Sequence, residues 1–397
     1  RRALGLLTGA LALYVGLPYL LMQVANLGVV RVGRGSEPTL ALTFDDGPDP
    51  DTTPAVLDAL REAGVRATFF MVGERVLAHP DLARRVADEG HEVATHGQGH
   101  RHAWSRAPWT VVPDLRRSRE AVERATGRAV RFFRPPHGAY TLATVLGLRG
   151  TGLTGAHWTV EAHDWHPDFT PDAVTRRVLE HAAPGAVVVM HDAGPGGRVA
   201  GAALPGLLAE LRARGYRLLP LGELDGVRVE RPRDLLPRAL HLVDAEFDRR
   251  GGIRRVGQNA TSLLRAGISP FPLDDHPTIA RGTPMLEIHI DSERLVHFAA
   301  KPLRTLKLVR DGMRELALAV REDPEWRDLP GVFSIGPFAD VLVTLGFETH
   351  DVPEAMRRRL TLWSSFLRWA HGSARGPARE ARLGLISRDE LLRRHGR

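Results

Sequence analysis

The sequence predicts an α/β fold in which parallel strands alternate with helices over residues 38 to 222. Short apolar runs alternate there with amphipathic stretches, as in an α/β layer or a (β/α) barrel. Titratable or cationic residues also end four of the predicted strands. They are Asp45 with Asp46, His96, Arg134 and His191. Because active sites of (β/α) barrels gather at the carboxyl ends of strands, this pattern indicates catalysis rather than core packing.

The predicted elements follow one another without an internal repeat. Strands are expected at residues 39–44, 67–72, 91–95, 129–133, 185–190 and 216–219. Helices are expected at residues 54–62, 81–89, 114–126, 142–149 and 204–214, with a further helix after Thr170. Thr170 is a good N-cap because Pro171 follows it in the first turn.

Composition narrows the classes of function. The 397 residues suffice for two domains, and 43% hydrophobic with 25% charged residues is typical of a globular protein. The absence of cysteine excludes disulfides, thiolate metal sites and cysteine nucleophiles. The net charge is +7, and the sequence contains no run of five or more basic residues. We therefore expect no nucleic acid partner, and anionic envelope polymers or lipid head groups instead.

The N-terminal segment predicts a membrane anchor. Residues 3 to 30 carry no charge and are flanked by Arg1, Arg2, Arg31 and Arg34. This run exceeds the roughly 20 residues that span a bilayer and the roughly 7–15 residues of a signal-peptide core. No clear A-x-A cleavage site follows, so we expect an uncleaved transmembrane helix within residues 1–34. Arginines on both sides specify orientation weakly, and an extracytoplasmic location for the rest is the simpler expectation.

The remaining chain divides into a catalytic domain at residues 35–226 and a smaller α+β accessory domain at residues 227–397. Pro232 and Pro237 suggest a linker between them. One clearly alternating strand is expected at residues 285–291, where Glu287, His289 and Asp291 share a face. A half-exposed strand explains this alternation more commonly than a second polar site does.

Adjacent carboxylates and spaced imidazoles suggest metal chemistry in the first of these domains. Asp45 and Asp46 end a strand, where two carboxylates cannot both stay ionised cheaply unless a cation is near. One of them as a metal ligand and the other as a base resolves the conflict, although a solvated turn is the alternative. His96 and His100 can both reach one ion, with surface histidines as the alternative. A carboxylate and two imidazoles leave an open position for hydrolysis.

Five motifs in order then resemble the NodB-homology polysaccharide deacetylases, carbohydrate esterase family 4. They read FDDGP at 44–48, HGQGH at 96–100, RPPHG at 134–138, EAHDW at 161–165 and VVVMHD at 187–192. The resemblance covers about residues 38 to 222. It implies a distorted (β/α) barrel of the polysaccharide-deacetylase type.

The resemblance implies a metal centre and a general base. Asp46, His96 and His100 would bind a divalent metal, usually zinc, with cobalt, nickel or manganese as alternatives. Asp45 would take a proton from the metal-bound water, and Arg134 would orient it. Amide hydrolysis at neutral pH needs such a nucleophile, and a bound dication lowers the pKa of water to around 7.

The same resemblance implies a general acid and a sugar pocket. His191 would protonate the leaving amine, which leaves poorly otherwise, and Asp164 would hold its other ring nitrogen. Trp165 would form a wall of the pocket, and the backbone N–H of His137 would help hold the oxyanion.

Three departures from the family pattern bear on substrate fit. Gly97 stands where serine or threonine is usual, His137 where an aromatic residue is usual, and Glu161 where aspartate is usual. The metal ligands, base and acid are all present.

The implied activity is metal-dependent hydrolysis of N-acetyl groups from N-acetylglucosamine-type sugars of an envelope polysaccharide such as peptidoglycan, with release of acetate. Alternatives are deacylation of a lipid-linked sugar and a glycan-binding module without turnover. The intact base, metal ligands and acid argue against the binding module. The run GTPMLEIHI at 282–290 resembles the YkoP-like domain of some bacterial deacetylases, which implies no established chemistry.

Overall fold

The structure is a computed structural model that describes residues 8–35, 37–291, 302–337, 339–370 and 380–396. The chain divides into two compact units, Arg1–Pro232 and Arg233–Arg397.

The first unit is built around one parallel sheet, as the sequence predicted. Its strands are β1 Thr39–Asp45, β2 Thr68–Met71, β3 Glu92–Thr95, β4 Phe132–Phe133, β5 Thr154–Gly155, β6 Val160–Glu161, β7 Val187–His191 and β8 Arg217–Leu218. Their order is β5-β4-β3-β2-β1-β7-β6, and β8 also pairs with β1. Every strand pair is parallel. This arrangement is the distorted (β/α) barrel that we expected.

Helices connect the strands. They are α1 Thr53–Glu62, α2 Gly73–Ala78, α3 Pro80–Asp88, α4 Pro108–Thr126, α5 Leu142–Thr151, α6 Pro171–His181 and α7 Gly194–Ala213. The Thr170 hydroxyl accepts a hydrogen bond from Ala173 N, so the predicted cap forms. The fourth helix starts earlier than expected because Pro108, a favourable first-turn residue, begins it.

Strand register brings the sequence motifs together. Strand β1 lies inside the sheet, between β2 and β7, and is buried along its whole length. Asp45, its last residue, pairs with Phe70 on one side and His191 on the other. Motifs about 145 residues apart in the chain thus end side by side at the carboxyl edge.

The predicted transmembrane helix is not seen in the part of residues 1–34 that the structure describes, which begins at residue 8. Residues 8–24 are helical, with π-helical turns at Ala12–Gly16 and Tyr19–Val24. Among the described residues, no helix has the length and apolarity that a bilayer span requires. The apolar run instead ends within the folded unit, where Val30 N donates to Gly155 O and Gly33 N donates to Gly185 O. Hydropathy alone did not distinguish the exposed helical residues from Val29 and Val30, because a buried valine is as apolar as a lipid-facing one.

The second unit is an α+β fold, as predicted. Its strands are β9 Arg254–Arg255, β10 Leu264–Pro270, β11 Pro284–Ile290, β12 Gly331–Gly336, β13 Glu348–His350 and β14 Arg382–Ser387. Its helices are α8 Leu235–Arg250, α9 Pro302–Glu322, α10 Ala339–Val343, α11 Glu354–Ala370 and α12 Arg388–His395. The sheet order is β13-β14-β12-β11-β10-β9, with only β11 and β12 parallel in the described part. Its core contains Leu264 and Leu286 of the sheet and Leu316 of α9.

Candidate active site

Asp45 is buried at the end of β1 and is held by a buried arginine. Arg134 Nη1 donates to Asp45 Oδ1 at 2.7 Å and to Thr43 Oγ1 at 2.9 Å. The guanidinium carbon also lies 4.1 Å from the ring centroid of Phe70 and 5.4 Å from that of Trp158. A fully buried arginine needs such partners, since an unpaired buried charge is costly. The arrangement fixes the orientation of the Asp45 carboxylate.

Asp46, His96 and His100 form the one group of metal-ligand side chains found in the described part of the chain. Their ligand atoms lie within 4.8 Å of one another. Asp46 Oδ1 lies 3.0 Å from His100 Nε2 and 3.3 Å from His96 Nε2. That oxygen is buried and makes no hydrogen bond of good geometry. A divalent cation fits this donor set, because one carboxylate and two imidazoles leave a further position open.

The charges of the metal-ligand group respond to one another. Burial by itself would raise the pKa of Asp46, but the neighbouring His100 and His96 outweigh it and hold that pKa well below its usual range. Interaction with Asp46 raises the pKa of His100 above its ordinary value. Asp46 is therefore ionised at neutral pH, as a ligand must be.

His191 and Asp164 form a second pair at the same edge of the sheet. His191 Nδ1 lies 2.8 Å from Asp164 Oδ1, and the backbone N–H of His191 donates to Asp164 Oδ2 at 2.7 Å. Burial alone would lower the pKa of His191, but the hydrogen bond and charge of Asp164 outweigh it and raise that pKa to about 9. A protonated imidazole held in one orientation can serve as a general acid.

These side chains meet at a single cavity of about 440 Å³. Its lining includes Asp45, Asp46, His96, His100, His137, Trp158, Glu161, Trp165 and His191. Trp165 is half exposed, and its indole N–H donates to Glu161 at 3.1 Å. The structure thus brings together the residues singled out from the sequence, with Arg134 and Asp164 buried just behind the cavity wall.

His137 has an unusual backbone and ring environment. Its φ is +58°, in the left-handed region that few residues other than glycine adopt. Its ring centroid lies 4.8 Å from that of His100 and 5.1 Å from that of His102. Burial and these neighbouring imidazoles lower its pKa. A strained, conformationally fixed residue of this kind is common at active sites.

Two residues that support this site were given no role from the sequence, Asp192 and Trp158. Asp192 is buried and accepts hydrogen bonds from Gly47 N at 3.0 Å and Thr53 Oγ1 at 2.7 Å, which ties β7 to the turn after β1. Burial raises its pKa to about 7. Trp158 forms part of the cavity wall and stacks on His157 at 4.1 Å. The adjacency of Asp192 to His191 was the only sequence signal for either.

The polar face of β11 shows no comparable site. His289 Nε2 lies 3.8 Å from Glu287 Oε1, whereas Asp291 lies 3.8 Å from Arg255. The half-exposed strand is therefore the better interpretation of Glu287, His289 and Asp291.

Both parts of the chain are similar in sequence to known protein families. A sequence model of polysaccharide deacetylases matches residues 33–156, and one of the YkoP domain matches residues 236–395. The peptidoglycan-N-acetylglucosamine deacetylase PgdA of Listeria monocytogenes is 35% identical over 191 residues, which are 48% of this chain and 40% of that protein. A chitooligosaccharide deacetylase of Sinorhizobium fredii is 36% identical over 206 residues, 48% of this chain and 94% of that protein.

Further relatives include a solved structure. A peptidoglycan-N-acetylglucosamine deacetylase of Bacillus cereus is 31% identical over 201 residues, 50% of this chain and 72% of that protein. The crystal structure of a peptidoglycan N-acetylglucosamine deacetylase has 28% identity and a TM-score of 0.49, covering 53% of this chain and 98% of that one. The chain spans less than half the length of the Listeria protein. With five ordered motifs, a parallel sheet and relatives matched over most of their length, the chain belongs to the polysaccharide deacetylase family.

Proposed function

We propose that this protein hydrolyses the N-acetyl groups of N-acetylglucosamine-type sugars in an envelope polysaccharide such as peptidoglycan and releases acetate. One observation carries the proposal. The buried carboxylate of Asp45, the metal-ligand group and the imidazole of His191, whose pKa is raised, all line the same cavity. Relatives named for deacetylation of peptidoglycan and chitooligosaccharides support the substrate class.

Asp46, His96 and His100 are the residues that would hold the metal ion. Zinc is the first candidate because mixed nitrogen and oxygen donors suit it, and cobalt, nickel or manganese are alternatives. When bound, a divalent ion supplies Lewis-acid activation of water and of the amide carbonyl.

The side chains of the protein move the protons. Asp45, held in one orientation by Arg134, accepts the proton of the attacking water. His191 donates its proton to the amine nitrogen as the C–N bond breaks, so the amine leaves neutral and the acyl group leaves as acetic acid, which ionises to acetate in solution. Asp164 holds His191 Nδ1 and so leaves Nε2 for this donation. Trp165 would bound the sugar site, and the His137 N–H would stabilise the oxyanion.

An extracytoplasmic, membrane-associated location is part of the proposal. Apolar side chains of the N-terminal helical segment are exposed, namely Leu11, Leu13, Leu17, Leu20, Leu21 and Val24. An exposed apolar helix supports attachment at a lipid surface. Protease added to spheroplasts should digest the catalytic region. If that region is protected while a known external marker is cleaved, the catalytic region lies on the cytoplasmic side and the proposed orientation is wrong.

The proposed activity is tested by acetate release from a panel of substrates. Purified protein would be loaded with zinc and incubated with N-acetylglucosamine oligomers, peptidoglycan and a lipid-linked N-acetylated sugar. We expect equal amounts of acetate and new free amine from the oligomers and peptidoglycan. Release from the lipid-linked sugar only would favour that alternative, and binding of peptidoglycan without acetate release would indicate a binding module.

A further inference from the structure

A row of exposed apolar side chains runs along α11 of the second unit. Leu362 is 72% exposed and Trp369 is 63% exposed, and both Trp363 and Phe366 are also exposed. The ring centroids of Trp363 and Phe366 are 5.5 Å apart, and those of Phe366 and Trp369 are 5.9 Å apart. Singly exposed apolar residues are ordinary, but a contiguous row indicates an interaction surface. We call these four residues the α11 row.

The same helix is strongly basic. It contains four arginines, and Glu354 is its one acidic residue. Three of the arginines are consecutive, Arg357, Arg358 and Arg359, one turn before the row begins. Glu354 accepts hydrogen bonds from Arg357 and Arg358, so its single charge is shared between two of them. The helix thus combines an exposed aromatic face with excess positive charge.

Helix α8 offers an internal comparison. It also exposes apolar side chains, with Leu242, Val243 and Phe247 all more than half exposed. Those residues are interleaved with three carboxylates, Asp244, Glu246 and Asp248. An anionic surface would attract α11 more strongly than α8, because the three carboxylates of α8 balance its three arginines, Arg238, Arg249 and Arg250.

We propose that α11 lies in the interface of an anionic phospholipid bilayer. Its row would enter the boundary between head groups and acyl chains, with Arg357, Arg358 and Arg359 near lipid phosphates. Tryptophan favours that depth because its ring is amphipathic. The highly exposed Leu362 favours lipid over a sugar ring, because an aliphatic side chain offers no flat face for stacking. Firm attachment of a protein to a membrane generally needs two signals, and α11 would add one to the N-terminal helical segment.

The test is co-sedimentation of the full chain with lipid vesicles. Vesicles of phosphatidylcholine mixed with phosphatidylglycerol would be compared with vesicles of phosphatidylcholine. The test variant carries Leu362→Gln, Trp363→Gln, Phe366→Gln and Trp369→Gln, and the matched control carries Leu242→Gln, Val243→Gln and Phe247→Gln on α8. We expect the test variant to bind anionic vesicles at least about tenfold more weakly and the control to bind as the wild type does.

Three results would overturn the proposal. They are unchanged vesicle binding by the test variant, a loss of peptidoglycan binding with vesicle binding intact, and a change from dimer to monomer with vesicle binding intact.

Thermal unfolding reports whether each variant folds. If the test variant does not fold, the triple change Arg357→Gln, Arg358→Gln and Arg359→Gln replaces it. That variant should lose the preference for anionic vesicles, and a retained preference would overturn the proposal. Acetate release from a soluble oligomer is measured separately, so the two proposals can fail independently.

Discussion

Asp45 and Asp46 are neighbours in the chain, yet they have different partners. Asp45 continues the strand and meets Arg134, whereas Asp46 has a φ of +81° and lies beside His96 and His100. A left-handed residue is costly for aspartate, which tolerates it better than most side chains do. This turn separates the proposed base from the proposed ligand within one dipeptide.

The Asp164–His191 pair predicts a particular pH profile. His191 donates a proton only while it is protonated, so the rate should fall as pH rises through its folded pKa of about 9. Asp164→Asn removes the charge that raises this pKa, so the alkaline limb of kcat/KM should move to lower pH. The measurement is kcat/KM against pH on a soluble oligomer, with the exposed Asp168→Asn as control. An alkaline limb that stays in place in Asp164→Asn would argue against His191 as the acid.

Residues within motifs were predictable, whereas their supporting residues were not. The spacing of His96 and His100, and the position of His191 at a strand end, are visible in one dimension. Trp158 and Asp192 act through partners that folding alone supplies, such as Arg134 and Gly47. The local sequence does not single out Trp158, and it marks Asp192 only by its place beside His191 in the fifth motif.

At the scale of elements, the turn after β1 is tied to the end of β7 by Asp192. Asp192→Ala removes the acceptor of Gly47 N–H and the nearer of two acceptors of the Thr53 hydroxyl, and both donors are buried. We expect the free energy of unfolding to fall by about 1–3 kcal/mol, the usual cost of an unsatisfied buried donor. Urea unfolding of the full chain at neutral pH measures it, with exposed Asp51→Ala as control. A loss no larger than that of the control would mean that water replaces the carboxylate.

Strand–helix alternation predicted most elements of the first unit, but it could not give the strand order. That order depends on the pairing of β1 with both β2 and β7, which joins distant parts of the chain. The N-terminal apolar run shows a related limit of the sequence. Hydropathy measures apolarity and not the neighbour that covers it, and Val29 and Val30 are covered by the protein itself.

At the scale of the whole molecule, the first unit extends beyond its sequence motifs at both ends, and side-chain and backbone hydrogen bonds hold these extensions in place. Arg34 Nη2 donates to both carboxylate oxygens of Glu230, at 2.7 and 2.8 Å, and the Glu230 side chain is buried. Val30 and Gly33 also bond to the backbone of the sheet region. A shortened protein that begins after Arg34 or ends before Glu230 loses these links.

We therefore expect residues 8–232 to fold and to deacetylate a soluble oligomer without the second unit. Residues 38–226 should be less stable, because they lack the hydrogen bonds between Arg34 and Glu230 and those that Val30 and Gly33 make to the sheet region. Thermal unfolding and kcat/KM on an oligomer are measured for both and for the full chain. Equal stability of the two shortened proteins would show that this link is dispensable. A folded but inactive 8–232 protein would mean that the second unit completes the active site.

The proposed mechanism depends most on the division of roles between Asp45 and Asp46. Zinc content and acetate release would be measured together for the wild type, Asp45→Asn and Asp46→Asn, each purified and reloaded under the same conditions. We expect Asp45→Asn to keep stoichiometric zinc and to lose about 10²–10⁴-fold in turnover, since it removes a general base. Asp46→Asn should lose both tight zinc binding and activity, because it removes one of three ligands. Near-normal turnover by Asp45→Asn, or stoichiometric zinc in Asp46→Asn at neutral pH, would contradict this division of roles.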